Sequence, residues 1–323
     1  MKLQRGIALV VVLLVVALVS VIATGLSGQL QREIHRSANT QNHEQALQYV
    51  KGLEHLAIVV LQQNGKDNPK RKDLSQVWAT QGLFFPVDGG DLTGTITDRN
   101  HCFNINSLVD FQVETKTYLA NKESVNYVLY KRLLASLGLP IALAEPLSDW
   151  LDSNSEPNGL EGAEDEVYEV MGPPYRAANN LMTNTSELRL IKGYTAEVIK
   201  TLSPYICALP EAGYLKININ TLEPEMPELL MMLIDGLDIE TASMLLTARQ
   251  IGGYGNMVQF WQQHELTGLH AIVGAESIMQ LNSDYFYLQA KANIDRSYAG
   301  LTTLFKQSGI DVEVLWRQYG RIE

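Results

Sequence analysis

Catalytic signatures are missing from this 323-residue chain. It has no G-x-S-x-G elbow and no H-E-x-x-H pair, and its six histidines are scattered, with His35, His43 and His55 near the N-terminus and His101, His264 and His270 far from one another. Nucleophilic and zinc-dependent hydrolysis need such groups at defined spacings, so the sequence presents no enzyme constellation. Cysteine is nearly absent as well. Cys102 and Cys207 are the only two, which supports no zinc site and suits an oxidising compartment. Two readings of the pair stay open: buried free thiols, or a disulfide closing a loop of about 100 residues. The second is valued at about 4 to 5 kcal/mol in the chain-entropy model, and requires Cα atoms within about 7 Å. A basic excess is also lacking, because 25 Lys and Arg face 36 Asp and Glu. That balance disfavours nucleic-acid phosphates and anionic lipid headgroups as main partners.

Charge is absent from Ile7 to Ala23, where Ser20 is the only polar residue. As a helix these positions span about 25 Å at 1.5 Å per residue, enough to cross the hydrocarbon of a bilayer. Lys2 and Arg5 precede the run, which keeps the N-terminus cytoplasmic and places the rest across the membrane. "ATG" at Ala23–Gly25 offers a cleavage site for an ordinary secretory signal, and a plain single-pass anchor needs only the run itself. Proline is then missing from Gln29 to Gln63, Gly52 is the sole glycine in the latter part of that stretch, and Leu47, Val50, Leu53, Leu56, Ala57 and Leu61 recur at helical spacing. The pattern predicts one helix running from the membrane into a soluble body, a continuation that a signal peptide has no reason to show.

With "RGIALVVVLLVVALV", "CFNINSL", "DWLDSN", "GAEDEVY", "ELRLIKGY", "LPEAGYLKININT" and "LTGLHAIVGAESIMQLNSDYFYLQAKANI" in this order, the chain resembles the K-type minor pseudopilins of type II secretion along nearly its whole length. The resemblance implies a leader, Met1 to Gly6, removed by the prepilin peptidase after Gly6, and N-methylation of Ile7. It implies a helix that stays in the bacterial inner membrane, a globular part in the periplasm, and a hetero-oligomeric tip complex with other minor pseudopilins. Most pilins and pseudopilins carry a glutamate at the fifth mature position, where it neutralises the neighbour's N-terminal amine; counted from Ile7, that position is Val11. A carboxylate in an apolar helix bundle is costly without a cation, so a subunit with no neighbour above it does better without one, and the resemblance implies a place at the filament tip; the plain alternative is that a valine in a membrane helix needs no explanation.

The alternating run "LTGTITD" and the short "CFNIN" read as strands, joined by turn residues around Arg99 and Asn100. Helical patterns follow, and strand patterns return only at "SDYFYLQAKANI", "YAGLTTLFKQ" and "VEVLWRQY". The expected fold is α+β: a pilin-like long N-terminal helix packed on an antiparallel sheet, interrupted by a large, mostly helical insertion. The corresponding divisions are leader 1–6, membrane or filament helix 7–26, body 27–108, insertion 109–275 and body again 276–323.

Basic side chains are absent from Leu133 to Tyr175, a stretch that holds nine carboxylates, eight of them from Asp149 to Glu169. Repelling acids in a loop rich in Gly, Asn and Pro suit a hard divalent cation, and calcium tolerates irregular oxygen shells. Asp152, Asn154 and Glu156 begin like an EF-hand, but Pro157 takes its glycine position and Ala163 its bidentate glutamate position. K-type pseudopilins bind calcium, and the resemblance marks Asp152, Asn154, Glu164 and Asp165 as candidate ligands, followed by Asp149. A solvated acidic loop, or acids that only cap helices, stays the alternative. Finally, "LLMMLIDGLDIETASMLLTARQIGGYGN" resembles a helix-hairpin-helix unit, with a partial echo at "SELRLIKGYTAEVIKTLSPYI". Such units bind phosphate through backbone N–H groups and basic neighbours; here the turn supplies Asp235 and Asp238, which favours a structural use. The expected role is a non-enzymatic minor pseudopilin that helps initiate or cap the pseudopilus and assists export of folded proteins across the outer membrane. The rival is a membrane-tethered helix-hairpin-helix nucleic-acid binder of a DNA-uptake system.

Overall fold

The computed structural model describes residues 4–321; Met1 to Leu3 of the expected leader lie outside them. One continuous helix, α1, runs from Gln4 to Asp67, and Gly6 and Ile7 fall in its first turns. Its second half packs on an antiparallel sheet of five strands: β1 (Leu83–Val87), β2 (Gly90–Asp98), β3 (Tyr285–Ile294), β4 (Ser297–Ser308) and β5 (Asp311–Tyr319), in that spatial order. Strand neighbours in the sheet are thus neighbours in chain order, except that the segment between β2 and β3 makes a separate body. The β2–β3 ladder closes across it, with Phe286 opposite Asp98 and Ile294 opposite Gly90.

The helix–sheet core follows from two periodicities. Ala46, Val50, Leu53, Ala57 and Leu61 form the buried stripe of α1, and Phe286, Leu288, Ala290, Ala292 and Ile294 alternate along β3 to meet it. Trp78 closes one end, edge-on to Phe286 at 5.2 Å between ring centroids. The expected stripe shifts slightly: Leu47 is half-buried and Leu56 is 46% exposed, because the sheet touches the face centred on Val50. Glu54 is the one acid in this stripe, and it is satisfied. Arg317 of β5 donates Nε to both its oxygens at 2.9 Å, and Thr303 of β4 donates its hydroxyl at 2.6 Å.

The inserted body has its own core, and it takes more chain than 109–275: Phe103, Ile105 and Leu108 before those limits and Ile278, Met279 and Leu281 after them belong to it. "CFNIN" is therefore not a strand of the main sheet. Phe103–Asn104 pairs in parallel with Ile206–Cys207 inside the insertion, a two-residue ladder too short to carry a periodic signal. Nor is the segment after Leu108 helical at once, since Val109–Gln112 and Thr117–Ala120 form a hairpin whose β-branched and aromatic residues favour strand. Helices follow, among them α2 (Val125–Ser136), α3 (Ala144–Leu151), α4 (Ala196–Leu202) and α5 (Ile239–Ala248). Ser124 caps α2 by accepting from the Tyr127 amide, and Tyr130, Leu133 and Leu134 bury its inner face.

Two kinds of contact fix the insertion to the body. Cys102 and Cys207 form a disulfide, with Cα atoms 5.8 Å apart, and it packs with Leu209, Tyr285 and Leu304 beneath the sheet face away from α1. Beside it, buried Asp98 accepts from the hydroxyls of Thr221 and Ser283, from the Asn218 amide side chain and from the Asn100 backbone N–H. The Asn100 side chain accepts from the backbone of Asp284 and Tyr285 and donates to the Tyr214 hydroxyl.

Candidate functional site

Two features of the chain stand apart from ordinary packing. The first is the N-terminal half of α1. It is apolar and exposed at Leu9 (65%), Val11 (52%) and Leu14 (70%), and its most apolar window has a mean hydropathy of 3.0 with none of it buried. By length and composition this helix can cross a membrane. A helix apolar all round and unpartnered needs lipid or other helices around it.

The second feature is a buried acidic cluster where α3 runs into the loop after it. Asp149 lies on α3, Asp152 at its C-terminal cap, and Glu164 precedes the short helix Asp165–Tyr168. The first two side chains are wholly buried and the third is 3% exposed. Asp149 accepts from the Asn158 N–H at 2.9 Å and from the Ala163 N–H at 2.6 Å. Asp152 accepts from the Asn154 backbone and side chain and from the Asn158 side chain. Asn158 therefore ties the two aspartates together, a residue that the acidic pattern alone did not single out; an Asn amid acids in a Gly- and Pro-rich loop was the available signal. Gly162 permits this closeness, since a Cβ there would lie 2.6 Å from Asp149 Oδ2.

Glu164 differs from both aspartates. Its two carboxylate oxygens are buried and accept no hydrogen bond. Burial, and then the charges of Asp149, Asp152 and Asp165, push its carboxyl up to about 8. Burial likewise raises Asp152 to about 6 and Asp149 in the same direction. An ionised carboxylate left so costs several kcal/mol unless a proton or a cation neutralises it. The other two expected ligands are engaged: Asp165 faces Arg176 and accepts from the Ala177 N–H, and Asn154 accepts from the Glu156 N–H. Among the described residues no three His, Cys, Asp or Glu side chains already converge as a metal site. The donor set nevertheless fits a hard cation in its chemistry, as an all-oxygen group with one orphaned carboxylate.

The helix-hairpin-helix segment carries no such deficit. Asp238 caps α5 by accepting from the Thr241 N–H, Asp235 pairs with Arg132, and Arg249 donates to the carbonyls of Ile219 and Leu222. Its basic residue is thus committed to the fold rather than to a phosphate.

Comparison with known proteins agrees with this architecture. Family models described as type II secretion system (T2SS), protein K, match residues 101–211 and 217–277. The chain is 35% identical to the type II secretion system protein K of Aeromonas hydrophila, over 94% of this chain and 92% of that protein. The chain belongs to the type II secretion system protein K family. A second member, from Pectobacterium carotovorum, is 34% identical over 98% of this chain and 97% of its own. A crystal structure of a GspK–GspI–GspJ complex from the type 2 secretion system of enterotoxigenic Escherichia coli superposes with a TM-score of 0.76 at 28% identity, covering 89% of this chain and all of that one. Membership makes the chain a minor pseudopilin of type II secretion, with α1 as its N-terminal apolar helix. The nucleic-acid reading finds no support.

Proposed function

We propose that this pseudopilin sits at the tip of the pseudopilus, where it helps initiate or cap the filament and assists export of folded proteins across the outer membrane. The observation that carries this reading is α1 itself: one 64-residue helix whose second half is sealed onto the sheet while its first half is apolar, exposed and, at Val11, without the carboxylate that a subunit above would require. The helix anchors the protein in the inner membrane with the globular part in the periplasm. Its partners are other minor pseudopilins, of the I and J types that accompany the E. coli relative. Maturation is cleavage after Gly6 by the prepilin peptidase and methylation of Ile7, and the role is structural rather than enzymatic.

Calcium belongs to the same proposal. Asp149, Asp152 and Glu164 would hold it, with Asn154 and Asp165 joining after the loop rearranges. The orphaned carboxylate of Glu164 supports the fit. When bound, the ion neutralises the buried charge; Asn158 and the Ala163 N–H keep the aspartates in place.

The test of the reading is the mature N-terminus. Co-expression with the peptidase should yield a chain starting at methylated Ile7, and a bulky residue in place of Gly6 should leave a precursor longer by six residues. A mature chain starting after Gly25 instead would restore an ordinary signal peptide and overturn the assembly role.

A further inference from the structure

Asparagine is followed by glycine at two places, Asn64–Gly65 and Asn158–Gly159. Glycine has no side chain to shield its N–H, so its nitrogen can attack the preceding side-chain amide, which is one reason asparagine is thermolabile. The two pairs have opposite surroundings. Asn64 lies near the end of α1 and is 6% exposed; its side chain donates to Gln76 Oε1 at 3.0 Å and accepts from Lys72. The Gly65 N–H belongs to the helical ladder, and a Cβ at Gly65 would lie 2.2 Å from the Gly309 carbonyl oxygen. Neither group has room to turn. Asn158 is half-buried in the acidic loop and Gly159 is exposed. The Gly159 N–H donates to the Pro157 carbonyl at 3.0 Å, closing a turn over only three residues, and the Asn158 side chain donates to Asp152 at 2.9 Å.

The fold restricts both halves of this second pair. Asn158 ties Asp149 to Asp152. Gly159 has a φ of 105°, where an L side chain is strained, and a Cβ there would lie 2.5 Å from the Glu145 carboxyl. The loop therefore retains a reactive pair because its own geometry requires it.

We infer that Asn158 is a site of spontaneous deamidation and that Asn64, with the same neighbour in sequence, is not. The Gly159 nitrogen bonds to Asn158 Cγ, the Cγ–Nδ2 bond breaks, and the amide leaves as ammonia with the proton from Gly159. Water then opens the cyclic imide at either carbonyl, giving aspartate or isoaspartate. Both products replace the donor to Asp152 with a carboxylate, adding an acid to a cluster in which Glu164 already accepts no hydrogen bond. Isoaspartate also lengthens the backbone by a methylene and shifts the N–H that Asp149 accepts. Ageing of the chain thus unties the two aspartates.

The experiment incubates the full chain, purified in detergent with chelator, at pH 8 and follows both asparagines by peptide mass spectrometry with fragmentation. In urea, where both pairs are open, they should convert at similar rates. In the folded chain Asn158 should convert at least about tenfold faster than Asn64, which reacts only when α1 opens. Asn158→Gln, whose ring closure is slower, should suppress the conversion. Asn158→Asp, one of the two products, should open the 153–164 loop to protease faster than in the wild-type chain. Equal conversion of the two asparagines in the folded chain, or none at Asn158 while the urea sample converts it, overturns the site. A loop as resistant in Asn158→Asp as in the wild-type chain overturns the untying.

Discussion

Glu54 and Glu164 are both buried glutamates, each 3% exposed, and they have opposite surroundings. Glu54 lies between α1 and the sheet, where Arg317 and Thr303 supply three hydrogen bonds from two different strands. Glu164 lies in the insertion, with both oxygens unpartnered and three acids around it. The pilin body therefore carries its own counter-charge, encoded far along the chain, while Glu164 of the insertion meets acids and no hydrogen-bond donor. Self-sufficiency in one region and the proposed dependence on an ion in the other should show as opposite responses to mutation and to ions.

The largest effect should come from breaking the self-sufficient site. Arg317→Met leaves Glu54 buried with only Thr303, and removing one partner of a buried pair typically costs about 3 to 5 kcal/mol. Arg317 is itself 44% exposed, so its own loss costs little and the figure falls to about 2 to 4 kcal/mol. Denaturant unfolding of the body should register it with or without calcium. A change under 1 kcal/mol would mean that Thr303 and water suffice for Glu54, and the contrast with Glu164 would lose one side.

How much of this was legible in the sequence depends on range. The α1 stripe and strands β3 to β5 repeat their periods over nine or more residues, so their pattern survives without tertiary context. The acidic loop was legible as a run of like charges. The pairing of Glu54 with Arg317 was not, because 263 residues separate them and each alone is an ordinary surface-type residue. The same holds for the seam of Asp98, Asn218, Thr221 and Ser283, which tertiary closure alone assembles. Two-residue ladders such as Phe103–Asn104 lie below the length at which alternation carries information, which is why "CFNIN" joins the insertion rather than the sheet.

Next in size is the response of the acidic cluster to the proposed ion. Calcium at a hundredfold excess over Kd should stabilise the insertion by about 2.7 kcal/mol, so chelation should lower its melting temperature and open the 153–164 loop to protease. Magnesium should substitute poorly, because it holds a tight octahedral shell and sheds water reluctantly. Asp152→Ala with Glu164→Ala should abolish the calcium effect and leave α1 and the sheet intact by circular dichroism. Identical melting with and without chelator would return the loop to a solvated acidic surface.

A smaller effect reverses sign between conditions. In chelator at pH 9, where Glu164 is ionised, Glu164→Gln removes an uncompensated buried charge and should raise stability by about 1 kcal/mol. In calcium the same change should lower it. The equivalent exchange at Glu54 should destabilise in both conditions, since its partner Arg317 is supplied by the chain. A calcium-independent sign for Glu164→Gln would place the neutralising group inside the protein.

The smallest effect is a count of protons. Glu164 at about 8 and Asp152 at about 6 are raised above their unfolded values near 4. Without calcium the folded chain therefore holds more protons than the unfolded chain between about pH 4 and pH 8, and stability is fully present below that window and lost as pH rises through it. A cation needs the ionised forms, so binding at pH 7 must expel the proton that Glu164 retains, roughly one per site. Titration calorimetry in two buffers of different ionisation enthalpy should return that number, and it should fall toward zero at pH 9. The pH slope of stability should also flatten near pH 7 in saturating calcium, because bound and unfolded states are then both deprotonated, and it should reverse only near pH 4, where the unfolded carboxyls take up protons. No proton release at pH 7, together with full calcium stabilisation, would mean that the ion binds carboxylates other than Glu164, and the orphaned oxygens would need a different partner.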